Sequence, residues 1–162
     1  MTTFDDGPPD PSVISNPDVV RDIHAAGHLI GIHTQHHPTL SILKPQAVES
    51  EILDCYKAIV DAGVTPMKVF RSPGLKDPRS LPGTLKDWRI IRGELTDDWW
   101  PFVSEESVID KCRAVIQESS ESTVILIFHD FPGRPGHTFN FYNIIVNELI
   151  NKDGYVLVDF NY

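Results

Sequence analysis

Five short clusters along the chain carry side chains able to do chemistry. Asp5-Asp6 runs straight into Gly7-Pro8, so two adjacent carboxylates enter a tight turn pointing in different directions. One can bind a cation while the other stays a base, and the cation relieves their mutual repulsion. In His33-Thr34-Gln35-His36-His37-Pro38 two imidazoles, His33 and His37, stand four positions apart, and on a helical turn those rings share a face. Two histidines and one carboxylate form a ligand set with open positions, suited to zinc or another divalent ion that must still bind water and substrate. His36 points elsewhere on such a turn, and His24, His28 and His137 read as surface or packing histidines.

The other three clusters carry groups that can act beside such a cation. Arg71 opens Arg71-Ser72-Pro73-Gly74, where a guanidinium can hold a catalytic carboxylate by bidentate bonding and Pro73-Gly74 lets backbone approach a ligand. Thr96-Asp97-Asp98-Trp99-Trp100 joins acid to aromatic, offering a partner for Arg71 and, in Trp99, an apolar wall for a sugar ring or acyl group. His129-Asp130 places an imidazole where it can act as a general acid. Taken singly, each pattern also fits something ordinary: a solvated turn, a polar loop, a surface arginine, a core tryptophan or a buried structural histidine.

The elements that must position these groups alternate between strand and helix. Met1 to Phe4 is a strand stub. Asn16 reads as a helix cap before Pro17, with Val19, Val20 and Ile23 as the apolar face and Gly27 as the stop. His28 to Ile32 predicts a strand. Val48, Ile52, Cys55, Tyr56 and Ile59 recur at helical spacing, predicting a helix over 45–62 that Gly63 ends and that turns Cys55 toward the core. Strands are predicted over 67–71 and 88–95, and a Ser104-capped helix runs to about 118 with Val108, Cys112 and Val115 inward. The apolar run 124–128 predicts a strand covered on both faces. A helix over 138–151 presents Phe141, Ile144, Ile145 and Leu149, and a last strand covers 155–160. The alternation argues for one parallel α/β layer or barrel, a single domain over 1–162, and all five clusters fall after predicted strands, where such folds gather catalytic groups.

Composition excludes several other classes. With 14 basic against 23 acidic side chains and a net charge of −9, the chain lacks the basic footprint of a nucleic-acid binder. A hydrophobic content of 41% suffices for a core. No apolar run approaches a membrane span, and no basic start followed by an apolar stretch reads as a signal peptide. Cys55 and Cys112 are too few for a disulfide framework and too far apart for a zinc knuckle.

In order, Thr3-Phe4-Asp5-Asp6-Gly7-Pro8, His33-Thr34 with His37-Pro38, Arg71 with Pro73, Asp98-Trp99 and His129-Asp130 resemble the motifs of the polysaccharide deacetylases, the carbohydrate esterase family four or NodB-homology domain. The resemblance runs from Thr3 to the C-terminus, and the stretch 16–34 is similar to that of fungal chitin deacetylases. It implies a distorted (β/α) barrel with parallel strands, here incomplete and shortened. It implies Asp5 as general base, Asp6, His33 and His37 as ligands of one divalent metal, and His129 as general acid. Zinc is the expected ion, with cobalt or nickel as alternatives. Arg71 would orient Asp5, braced by Asp98 or by Asp97, and a backbone N–H near Gly74 would steady the oxyanion beside Trp99.

The reaction so implied removes N-acetyl groups from an N-acetylglucosamine polymer such as chitin, releasing acetate and an amine. Two departures from the family pattern stand out. Gly74 occupies a position where the family usually carries an aromatic residue, and only 26 residues (33 − 6 − 1) separate Asp6 from His33, where the family usually carries a further helix and apolar strand. A barrel lacking a strand leaves an edge that a partner would cover, giving an oligomer. Two other readings follow from the same residues: a glycan-binding relative without turnover, and an amidohydrolase acting on a small amide or cyclic ureide. Family members are commonly secreted or cell-wall associated, which leaves the compartment of this chain open.

Overall fold

The computed structural model describes residues 1–5, 16–100, 102–129 and 137–158. The chain divides into two compact units, one made of Met1–Gly7 with Gly93–Tyr162 and the other of Pro8–Arg92. Both are built from parallel strands and helices, as the alternation predicts.

In the first unit, β1 (Thr2–Asp5), β4 (Glu94–Leu95) and β5 (Leu126–His129) form a sheet in the order β1-β5-β4. Every pairing is parallel, with Asp5 opposite His129 and Leu95 opposite Ile127. Strand β5 is central, and its Leu126, Ile127 and Phe128 are buried, in keeping with the unbroken apolar run. Helix α3 (Glu105–Glu118) starts where Ser104 accepts a hydrogen bond from the Ser107 N–H at 3.2 Å, with Glu105 and Glu106 in the first turn. Its Val108, Ile109 and Cys112 pack with Leu126, Phe128, Ile145 and Leu149 in one core. The last two come from α4 (His137–Asn147) and from the π-helical turn Glu148–Lys152 that follows it. Arg113 ties α3 to that turn, its guanidinium 2.8 Å from Asp153 and 3.3 Å from Glu148.

In the second unit, α1 (Pro17–Ala25) and α2 (Pro45–Asp61) accompany a parallel pair, β2 (Val69–Phe70) and β3 (Arg89–Ile90). The core joins Val48, Ile52 and Ile59 of α2 to Val20, Ile32, Leu40, Phe70, Leu85 and Trp88. Cys55 and Tyr56 are half-buried against it, so the helical periodicity of α2 marks its inward face correctly.

Four expectations change. The strand expected over 28–32 reduces to a single parallel bridge between Ile32 and Phe70, held by Ile32 N–H to Val69 O at 3.0 Å and Arg71 N–H to Ile32 O at 3.0 Å. The strand expected over 88–95 is two strands in different sheets, because the chain leaves β2 after Ile90 and joins β5 only at Glu94. Gly93 permits that second approach: a Cβ there would stand 2.7 Å from the Ile125 carbonyl. Of the α1 residues expected to face inward, only Val20 is buried, whereas Val19 and Ile23 are exposed. Residues 155–158 form no strand and expose Val156, Leu157 and Val158; positions 159 and 160 lie outside the described residues, as does the side chain of Phe141.

Among the described residues, no helix is long and apolar enough to cross a membrane.

Candidate active site

The second unit carries His33 and His37. His33 and His37 approach to 5.2 Å between ring centroids, as the spacing suggests, but not on a helical turn. The segment bends instead, with Thr34 at φ 81° and His37 at φ 53°, a left-handed conformation that non-glycine residues enter only when their surroundings hold them there. The Thr34 hydroxyl accepts the His37 N–H at 3.1 Å, closing the bend from within.

His33 Nδ1 lies 3.0 Å from the Arg71 carbonyl oxygen. A carbonyl can only accept, so Nδ1 carries the proton and the lone pair sits on Nε2, the tautomer of a metal-ligating imidazole fixed by backbone. The bond exists because Ile32 and Phe70 bridge in parallel, bringing the residues that follow each of them side by side. The donor chemistry of this pair fits a divalent cation such as zinc. Asp6, the carboxylate expected to complete the set, lies outside the described residues. Among the described residues, no group of three or more His, Cys, Asp or Glu side chains is gathered as a metal cluster.

Arg71 is buried at the end of β2, and the loop after it is anchored: Ser72 Oγ donates to Asp77 Oδ1 at 2.8 Å, while Arg92 pairs with the other Asp77 oxygen. Within that loop Gly74 is exposed at φ 57°, a geometry that suits glycine. His24, His28 and His36 are exposed, as expected, and the side chain of His137 lies outside the described residues.

The first unit carries Asp5, Asp98 and His129. Asp5 ends β1, is 7% exposed, and stands in register with His129 at the end of β5. Asp98 is buried and gives both oxygens to His129: Oδ2 accepts the backbone N–H at 2.8 Å, and Oδ1 lies 2.8 Å from Nδ1. Thr96 Oγ1, donating to the Ile127 carbonyl at 2.8 Å, is 3.2 Å from the same Oδ1. A carboxylate on Nδ1 orients the ring with Nε2 outward, the arrangement of an imidazole that can exchange a proton at Nε2. Trp99 packs edge-on against that ring at 4.7 Å. Asp97 is drawn to Lys111 at 3.7 Å, which distinguishes it from Asp98.

The Asp98–His129 pair is a relationship that sequence reading missed, having offered Asp98 as a brace for Arg71. The missing information was strand order, since β4 and β5 are neighbours only in space. Burial also sets the chemistry behind Asp98: the Cys112 thiol is pushed up to about 12, first by desolvation and then by the Asp98 charge. Cys112 is therefore a packing residue and not a nucleophile. A concavity of about 430 Å³ lined by Pro17, Gln35, Asp54, Lys57 and Asp61 holds none of the expected catalytic or ligand residues.

Residues 10–89 match the polysaccharide deacetylase family. A chitooligosaccharide deacetylase of Rhizobium leguminosarum bv. trifolii is 44% identical over 50 residues, 31% of this chain and 23% of that protein. Chitin deacetylase 1 of Cryptococcus neoformans var. grubii is 39% identical over 62 residues, 38% of this chain and 13% of that one. The solved structure of a family 4 acetyl xylan esterase from Clostridium thermocellum, in complex with a cobalt ion, superposes with a TM-score of 0.72 at 28% identity, covering 89% of this chain and 67% of its own. Over these segments the chain is similar to polysaccharide deacetylases, and it has the parallel α/β fold of carbohydrate esterase family 4. The matched segments are about a quarter or less of the curated relatives' length.

Proposed function

We propose that the chain is a metal-dependent N-deacetylase acting on N-acetylglucosamine polymers, with chitin-type oligomers as the first substrate to test. The observation that carries the reading is the His33–His37 pair, 5.2 Å apart, with His33 Nδ1 committed to the Arg71 carbonyl. The chitooligosaccharide and chitin deacetylases among its relatives support the substrate class, and the cobalt-bound esterase supports a divalent ion.

His33, His37 and Asp6 would hold the ion, zinc first and cobalt or nickel as alternatives. When bound, such an ion supplies Lewis acidity, polarising the acetamide carbonyl and easing deprotonation of water. Asp5 takes the proton from the attacking water as its oxygen bonds to the acetyl carbon. The Gly74 N–H steadies the developing oxyanion. Nε2 of His129 then delivers a proton to the leaving nitrogen as the C–N bond breaks, giving acetate and a free amine. Asp98 holds the Nδ1–H side of the His129 imidazolium, so that the proton delivered is the one on Nε2; Arg71 orients Asp5, and Trp99 forms an apolar wall. A covering partner at the β1 or β4 edge of the three-stranded sheet is part of the same proposal.

Acetate release from chitooligosaccharides tests the reading. Release that a chelator stops and zinc restores is the expected result; glycan binding with no release under any divalent metal would leave a non-catalytic glycan binder instead.

A further inference from the structure

We propose that Glu51, on α2, is the positioning residue that sets the His33–His37 loop for metal capture, an inference that rests on the metal-dependent reading above. Its Oε2 accepts the backbone N–H of Gln35 at 3.1 Å and of His36 at 2.8 Å, and its Oε1 lies 3.0 Å from His36 Nδ1. One carboxylate thus holds two consecutive amides and a ring of the segment between the two expected ligands.

That segment needs an external hold. It belongs to no helix or strand, and it contains two non-glycine residues in the left-handed region, Thr34 and His37. Such backbone persists only where surrounding contacts over-determine it. The Thr34 hydroxyl holds the bend from inside, and Glu51 holds it from a separate element. The hold is firm because Glu51 sits on a helix whose neighbouring Val48 and Ile52 are packed into the core, and its own side chain is only 16% exposed. A carboxylate is suited to this task because two oxygens can accept several N–H donors at once.

Without the carboxylate, Gln35 and His36 lose their acceptor and the loop relaxes away from the left-handed geometry. Both imidazoles remain, but the separation that suits one cation is no longer fixed. Groups that orient metal ligands from behind typically change metal affinity 10- to 100-fold, and we expect Glu51→Ala to weaken zinc binding by about that factor.

The experiment is a zinc competition titration against a chromophoric chelator, using the full chain and its Glu51→Ala, Glu51→Gln and Ile52→Val variants. Amide hydrogen exchange is measured on the same metal-free samples. The proposal expects weakened zinc binding and faster exchange at Gln35 and His36 in Glu51→Ala. Partial recovery is expected in Glu51→Gln, whose amide oxygen still accepts N–H, and near-normal zinc affinity in Ile52→Val, which loosens the same helix without touching the carboxylate. Equal zinc affinity in the full chain and Glu51→Ala overturns the role of Glu51 alone. A full chain that takes up no zinc overturns the metal-dependent reading and this proposal with it. Should Glu51→Ala fail to fold, Glu51→Gln decides: unchanged affinity and unchanged exchange overturn the proposal, and an intermediate loss supports it.

Discussion

Asp98 and His129 are bonded twice, once through the imidazole Nδ1 and once through the backbone N–H, both at 2.8 Å. The pair orients a ring standing in register with Asp5 on the neighbouring strand. In Asp98→Asn, one amide oxygen can serve only one of those donors well, and the NH₂ group then faces the other donor. Loss of an oriented proton donor typically costs about 10² to 10⁴ in rate. We expect the turnover of acetylated chitooligosaccharide to fall within that range in Asp98→Asn, with near-ultraviolet circular dichroism unchanged. Wild-type turnover in this variant would remove Asp98 from the mechanism.

Gly93 sits where β4 meets β5, and a methyl group there would lie 2.7 Å from the Ile125 carbonyl oxygen and 3.0 Å from Ile127 Cγ1. The nearest obstacle is backbone, which cannot swing aside. Gly93→Ala should therefore cost about 1–3 kcal/mol, as overpacking does. Gly83→Ala, with nothing within 4 Å of the new atom, should stay within about 0.5 kcal/mol. Urea midpoints of the two variants make the comparison, and equal midpoints would refute the close approach.

These two relationships mark where sequence reading stops. Helices α2 and α3 were legible because their apolar spacing and, for α3, the Ser104 cap are local signals that tertiary packing then reinforced. The break between β3 and β4 was not, since a pattern of period two needs more residues than either strand contains. The histidine pair was legible as a spacing, but its left-handed bend was not, because β-branched Thr34 is among the residues least expected at positive φ. Asp98 and Glu51 reach partners 31 and about 15 positions away, distances over which only a folded chain reveals pairing.

The Cys112 thiol, pushed up to about 12 by burial and by the Asp98 charge, stays protonated at any ordinary pH. Iodoacetamide at pH 8 should leave Cys112 unmodified in the native protein and alkylate it after denaturation. Half-buried Cys55 is the thiol that should react first. Peptide mass mapping separates the two, and native labelling of Cys112 would contradict its packing.

The Glu148 carboxyl is held below its ordinary value of 4.5, first by its hydrogen bond to Lys152 and then by Arg113. A lowered value in the folded state means stabilisation that is present above 4.5 and is lost as pH falls through the folded value. Glu148→Gln should therefore melt slightly below the wild type at pH 7, with the difference closing under strong acid. A gap that widens on acidification would reverse the sign and refute the pairing.

Zinc titration of chelator-stripped protein, followed by acetate release in the same cuvette, tests the central claim most directly. Activity should return in step with a single zinc per chain, and His33→Ala should neither take up that zinc nor regain activity. Acetate release that survives complete metal removal, or full zinc uptake by His33→Ala, would contradict the account.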